Sequence, residues 1–338
     1  MGPHLNLGTN ITAVGPKLDF SFGGLGARAP SLAPSLGSLD PVVSSQARFR
    51  IDGTGPLAAR RITAASAGAT QLLQKTPSAV DAVRGVLQLV EHVAGGPAAS
   101  ASVDLDGVSF STSAAGLAAN TWRAHVDDTK FRAGIAKLSP AKQADQLERL
   151  AKKTANETSG MLANVASGWM NVGPTASSAL LARAGATAAT PVSTQQLADS
   201  VRILLHESVH AVDTEPANLP SQAMHGVWEA LAEARTMSLP QLQAARSKLG
   251  LDAVVPDSAL ATSLQHRPYA AAERTLAGVL TTAGIAPGSA AEQQVLRATA
   301  HDAVELLTTK VAAATGYSPK EARTAIATAF AESMPGSR

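Results

Sequence analysis

Within the stretch LLHESVHAVD, residues 204 to 213, two histidines stand four residues apart and a glutamate directly follows the first. On an α-helix His206 and His210 fall one turn apart on one face, close enough for both imidazoles to reach a single metal ion. Glu207 then projects beside such an ion instead of onto it. From there its carboxylate can take a proton from a water that zinc has acidified to a pKa of about 7, as that water attacks a polarised carbonyl. The chemistry open to these residues is metal-assisted hydrolysis.

A catalytic zinc ion takes three protein ligands and keeps one position open, so a third ligand must come from another element. Glu229 follows His210 after eighteen intervening residues, in HGVWEALAEARTM, and Glu233 follows one turn later on the same helix face. Glu229 is expected as the third ligand. Glu233 is expected to accept a hydrogen bond from a ligand histidine's free N–H and so fix its tautomer. Asp213, one turn beyond His210, reads as a helix-end carboxylate or as support for a ligand, not as a ligand. The plainer alternative is a solvated helix face carrying two histidines and a glutamate, followed by an exposed acidic pair. Two histidines in the middle of an apolar-sided helix fit that alternative poorly.

His-Glu-x-x-His, eighteen residues and then Glu resembles the gluzincin branch of zinc metallopeptidases. HESVHAVD with EALAEA is locally most similar to the catalytic domains of the anthrax lethal factor group of toxin peptidases. The likeness is confined to residues 204 to 233. It implies zinc on His206, His210 and Glu229, with Glu207 as the general base, and a peptide or protein as substrate. It also implies a Tyr or His donor for the oxyanion of the tetrahedral intermediate. Only two tyrosines are present. None lies between His210 and Glu229, where the lethal factor group carries one; His225 lies there instead. Tyr269, in QHRPYAAAERTLAGVL, is the first candidate and His266 the second, against the reading of Tyr269 as a half-buried packing residue. The toxin-like motif points to a toxin or translocated effector. The competing function is a non-catalytic helical interaction or structural protein that keeps a structural or vestigial metal site.

The elements that must position these residues are partly legible. Ser193 with Gln196 three residues on forms a capping box, and Leu197, Val201, Leu204, Leu205 and Val209 supply an apolar side, so a helix is predicted from there to about Val212. A second helix is predicted after the break at Pro216 to Pro220. Beyond Pro191 the chain reads almost wholly helical, with further breaks at Leu239-Pro240, Pro256, Pro268, Gly284 to Gly288 and Gly316 to Pro319. Residues 46 to 175 are mixed. ARFRID alternates like a short strand, and SVDLDGVSFS places Asp106-Gly107 between alternating runs, a hairpin signal. ASGWMNVGPT, 166 to 175, reads as another short strand, while TPSAVDAVRGVLQLVEHVA and SPAKQADQLERLAKKTANET read as helices.

The expected fold is α+β and mainly helical. A zincin-like catalytic region would occupy 176–338, and an α+β region with a small antiparallel sheet would occupy 46–175, on the N-terminal or substrate side. Residues 1–45, rich in Gly, Pro and Ser, read as a flexible leader. No period of 20 to 50 residues recurs.

Composition excludes several classes. The chain has 338 residues and no cysteine, which rules out disulfides, a thiol nucleophile and thiolate metal sites. The pI is about 9.0, but the net charge is only +2 and no run of Lys and Arg is interleaved with aromatics, so nucleic acid is not an expected partner. No stretch reaches 18 consecutive apolar residues, and the start lacks a basic segment followed by an apolar run, so neither a membrane span nor an ordinary signal peptide is expected. The expected location is the cytoplasm, or outside it after passage through a specialised secretion or packaging machinery that reads the leader.

Overall fold

ARFRID does form a strand, β1 (Ala47–Asp52), which buries Phe49 and Ile51 on one face. A computed structural model describes residues 46–158, 162–185, 192–213, 221–265 and 269–333; the leader expected over 1–45 lies outside them. On one side β1 pairs antiparallel with β2 (Arg61–Ala64), and on the other with β3 (Gly107–Phe110). β3 runs parallel to β5 (Trp169–Val172), and β5 pairs antiparallel with β4 (Ala163–Ala166). The order β2-β1-β3-β5-β4 makes β4 an edge.

The sheet is therefore mixed, and the purely antiparallel expectation is corrected. Asp106-Gly107 makes no hairpin turn: β3 begins at Gly107, and no strand precedes it in that run. A Cβ at Gly107 would come within 2.5 Å of both the Phe49 carbonyl oxygen and the Trp169 ring. Glycine is needed there for close approach, not for a turn. The tight turn lies instead at Ser167-Gly168, with φ of 44° and 76°, both positive as a type I′ hairpin requires. It joins β4 to β5.

Helices α1 (Ala67–Lys75), α2 (Ala79–Ala94) and the single turn α3 (Pro97–Ser100) follow β2. Between β3 and β4 come α4 (Ala114–Asp127), α5 (Thr129–Ile135) and α6 (Pro140–Glu157), the last opened by Ser139 as N-cap and a proline in its first turn. α7 (Pro174–Arg183) leaves β5. The rest is helical: α8 (Thr194–Val212), α9 (Ser221–Thr236), α10 (Leu239–Leu249), α11 (Asp257–Ser263), α12 (Ala270–Thr282), α13 (Ala290–Arg297), α14 (Ala300–Thr315) and α15 (Pro319–Ser333). No described helix is long and apolar enough to cross a membrane.

Two hydrophobic cores organise these elements. The first joins one face of the sheet to α2, α8, α10 and α11, and includes Phe49, Leu87, Leu204 and Leu205. Each fully buried leucine contributes about 1.5–3 kcal/mol relative to exposure. The second core lies among α9 and α12 to α15, around Val227, Leu231, Leu307 and Phe330. α8 turns its apolar side into the first core, α9 turns its own into the second, and the two helices pack on each other. Their facing sides form the seam between the cores.

The other face of the sheet carries a buried polar ladder. Ser109 Oγ donates to Asn171 Oδ1 (2.8 Å), Asn171 Nδ2 to Asn164 Oδ1 (3.0 Å), and Asn164 Nδ2 to Thr121 Oγ1 on α4 (3.0 Å). Buried polar groups must pair with one another or lose free energy, and a one-residue slip would break the ladder. The edge strand β4 is thereby held in register.

Candidate metal centre

The two histidines sit on a helix whose start is well determined. Ser193 Oγ accepts from Gln196 N (3.2 Å) and Gln196 Oε1 accepts from Ser193 N (3.0 Å), so both halves of the capping box are present. With Leu197, Val201, Leu204, Leu205 and Val209 anchored in the first core or its seam, the helical period turns His206 and His210 toward α9. α9 is anchored by Val227, Ala230 and Leu231 in the second core, and so faces back with Glu229 and Glu233.

His206 Nε2 lies 2.8 Å from Glu229 Oε2, His210 Nε2 lies 3.4 Å from the same oxygen, and the two Nε2 atoms are 3.1 Å apart. The three residues are 3%, 7% and 4% exposed. Three ligand atoms of a tetrahedral zinc ion with bonds of 2.0–2.1 Å stand about 3.3 Å from one another. The triangle found here is nearly that size. His206, His210 and Glu229 can hold a metal ion, and as two imidazoles and one carboxylate they leave a tetrahedral fourth position open.

Glu233 stands behind His206, with Oε2 3.9 Å from Nδ1, the side where an acceptor orients a ligand histidine. Its Oε1 accepts from Tyr269 N (3.3 Å). Asp213 serves the helix end. It caps α8, accepts from Ala300 N at the start of α14 (2.9 and 3.0 Å) and faces Arg235 Nη1 on α9 (3.4 Å). Its carboxylate thus ties α8, α9 and α14 together. Tyr269 packs on the centre itself: its ring stacks on His206, with centroids 5.6 Å apart and planes 13° apart, and the charge of Glu229 acts on its hydroxyl. His266 lies outside the described residues.

Glu207 is not one of the three; its Oε2 accepts from Val165 N on β4, at the edge of the sheet (3.1 Å), and the charges of His206 and Glu229 still act on it. Burial pushes its pKa up to about 7, against the pull of His206 and of the Val165 N–H and with the repulsion of Glu229. Burial disfavours charge on His206 too, but the hydrogen bond and charge of Glu229, with Glu207 and Glu233 nearby, leave its pKa raised. For His210 burial prevails and carries the pKa down to about 4, despite the bond to Glu229. In Glu229 burial works upward, yet its bonds to His206 and His210 hold it well below the usual carboxylate range. Without a metal ion, the acidic groups around His206 thus favour its protonated form, next to Glu229.

Two contributors, Val165 and Trp228, escape a reading of the motifs, and His225, noted there only for its position, joins them at the site. Val165 enters through its backbone N–H, which no side-chain pattern reports. The Ser167-Gly168 pair between ANVA and WMNV was the available signal for its hairpin. Trp228 lies against His210, with centroids 3.8 Å apart, and donates from Nε1 to the Asp213 carbonyl (3.2 Å). His225, one turn before Glu229, brings Nε2 to 3.5 Å from Glu229 Oε1. Compared with known protein families, curated proteins and solved structures, the chain matches none.

Proposed function

We propose that this chain is a zinc-dependent peptidase with His206, His210 and Glu229 as ligands and Glu207 as general base. The observation that carries this reading is the placement of Glu207: next to His206 on the helix, outside the ligand triangle, held by the Val165 N–H, and with a pKa near 7. A general base works best when its pKa lies near the working pH, because it must both take and return a proton. Zinc, when bound, would supply Lewis acidity toward a substrate carbonyl and toward an adjacent water.

The chain's own groups supply the rest. The Val165 N–H fixes one oxygen of Glu207, leaving the other to take the attacking water's proton and pass it to the departing amine. In a two-residue hairpin the closing pair, Ala166 and Trp169, is hydrogen-bonded, so alternate residues of β4 turn their backbone groups outward. Val165 is one of these. An extended peptide can add to this edge as a further strand, which brings its carbonyls alongside Glu207. Burial, reinforced by the charges of Glu229, Glu207 and Glu233, raises the pKa of Tyr269. Its hydroxyl therefore stays protonated and available to donate to a developing oxyanion.

The test is metal content followed by cleavage. Protein purified without added metal should carry about one zinc per chain, the load of a single three-ligand centre. Peptides released from a proteome digest would identify a substrate. Glu207→Gln should then keep the zinc and lose about 10²- to 10⁴-fold in turnover, the usual worth of a positioned base. Unchanged turnover in that variant would remove Glu207 from the mechanism, and absence of zinc would favour a non-catalytic interaction protein.

A further inference from the structure

The geometry points to a binding site for a small dianion in a cleft behind the metal helix. The cleft, of about 620 Å³, opens between the C-terminal end of α2, the junction of α9 and α10, and α13. That lies within the roughly 300–1,000 Å³ typical of small-molecule sites. Leu205 and Val209 line it, each adjacent in α8 to a metal-ligand histidine, so the cleft and the metal centre share one helix.

Its charge is one-sided. Arg235 and Arg297 line the cleft, with His92 beside them, and among the described residues no aspartate or glutamate does. Arg235 is already engaged: its guanidinium donates to the carbonyls of Leu296 and Ala298 and faces Asp213, which makes it a fixed part of the wall. Arg297 is not. It is exposed on the last turn of α13, and its guanidinium makes no hydrogen bond or ion pair among the described residues. The Gln293 carboxamide, one turn earlier on the same face, makes none either. On the facing wall His92 Nε2 meets Gln241 Oε1 at 3.0 Å, which occupies the acceptor of that amide and leaves its NH₂ as a donor. Two walls thus offer donors to a space that no described aspartate or glutamate lines.

A ligand that completes such a set brings negative oxygens, and two of them close together match the planar fork of a guanidinium. The cleft stands independently of peptidase activity. Isothermal titration of the zinc-supplemented full-length protein with inorganic phosphate, and separately with succinate, tests it at fixed ionic strength. One saturable site per chain is expected for at least one of the two, and the preferred probe tells phosphoryl from carboxylate ligands. Arg297→Ala should weaken that binding about tenfold or more, the loss of one charge-assisted pair. Because the Arg297 guanidinium pairs with nothing among the described residues, the variant should keep the unfolding midpoint and zinc content of the parent. Gln293→Leu should weaken binding less, by about threefold, as a neutral donor. Two results overturn the assignment: no saturable binding of either dianion, or binding that Arg297→Ala leaves unchanged, which would place the anion elsewhere, including at the metal.

Discussion

Replacing Glu207 by glutamine in the metal-free protein should change how stability depends on pH, and the size of the change follows from where the carboxyl sits. An unfolded chain releases the Glu207 proton near pH 4.5, whereas burial holds it in the folded chain to about pH 7. The folded state therefore binds more protons between those values. The stability this contributes is fully present below pH 4.5 and is lost as pH rises through about 7. At about 1.4 kcal/mol per pH unit the full loss is roughly 3 kcal/mol, of which about 2.5 kcal/mol falls between pH 5 and pH 8. Glu207 keeps some water-facing surface, so these figures are upper bounds. Glutamine keeps an oxygen to accept from Val165 N but cannot ionise, and it should be spared this loss. Urea unfolding of the chelator-treated parent and of Glu207→Gln, at pH 5 and pH 8 and one ionic strength, measures it. The variant should gain on the parent by about 1–2.5 kcal/mol between the two conditions. An equal difference at both values would mean that Glu207 is ionised at pH 5 in the folded chain, and the placement of a desolvated base beside β4 would be refuted.

Metal affinity should itself depend on pH, because an ion must displace the proton that Glu229 holds on His206. Below the raised pKa of that imidazole, zinc affinity should fall about tenfold per pH unit, and competition titrations at pH 5 and pH 6 would show it. Glu229→Ala should lose nearly all zinc binding, since His206 and His210 alone leave too few ligands for a stable site; full affinity in that variant would shift the third ligand to another residue. Tyr269→Phe should keep zinc but lower turnover about 10²- to 10³-fold, if its hydroxyl reaches the oxyanion. A fall in metal affinity with turnover unchanged would instead assign Tyr269 to packing on His206.

What the sequence alone determined is local. The spacing of His206, Glu207 and His210 follows from helix geometry, and the capping box at Ser193 and Gln196 is a contact between neighbours, so both are legible without knowledge of the fold. ARFRID is readable for the same reason, since alternation places Phe49 and Ile51 on one face whatever that face meets. Glu229 was legible by spacing only, and its convergence with the histidines needed the two cores. α8 is fastened to one and α9 to the other, and this packing brings Glu229 to 2.8 Å from His206. Tyr269 reaches the same point because α12 packs beside α9 in the second core, which no local pattern states. Asp106-Gly107 misled because a glycine required by a distant Trp169 ring looks the same in sequence as one required by a turn. The bond from Val165 N to Glu207 was beyond any reading of residue types. Backbone groups are the same at every position, and only the placement of an edge strand decides which of them meets a buried carboxylate.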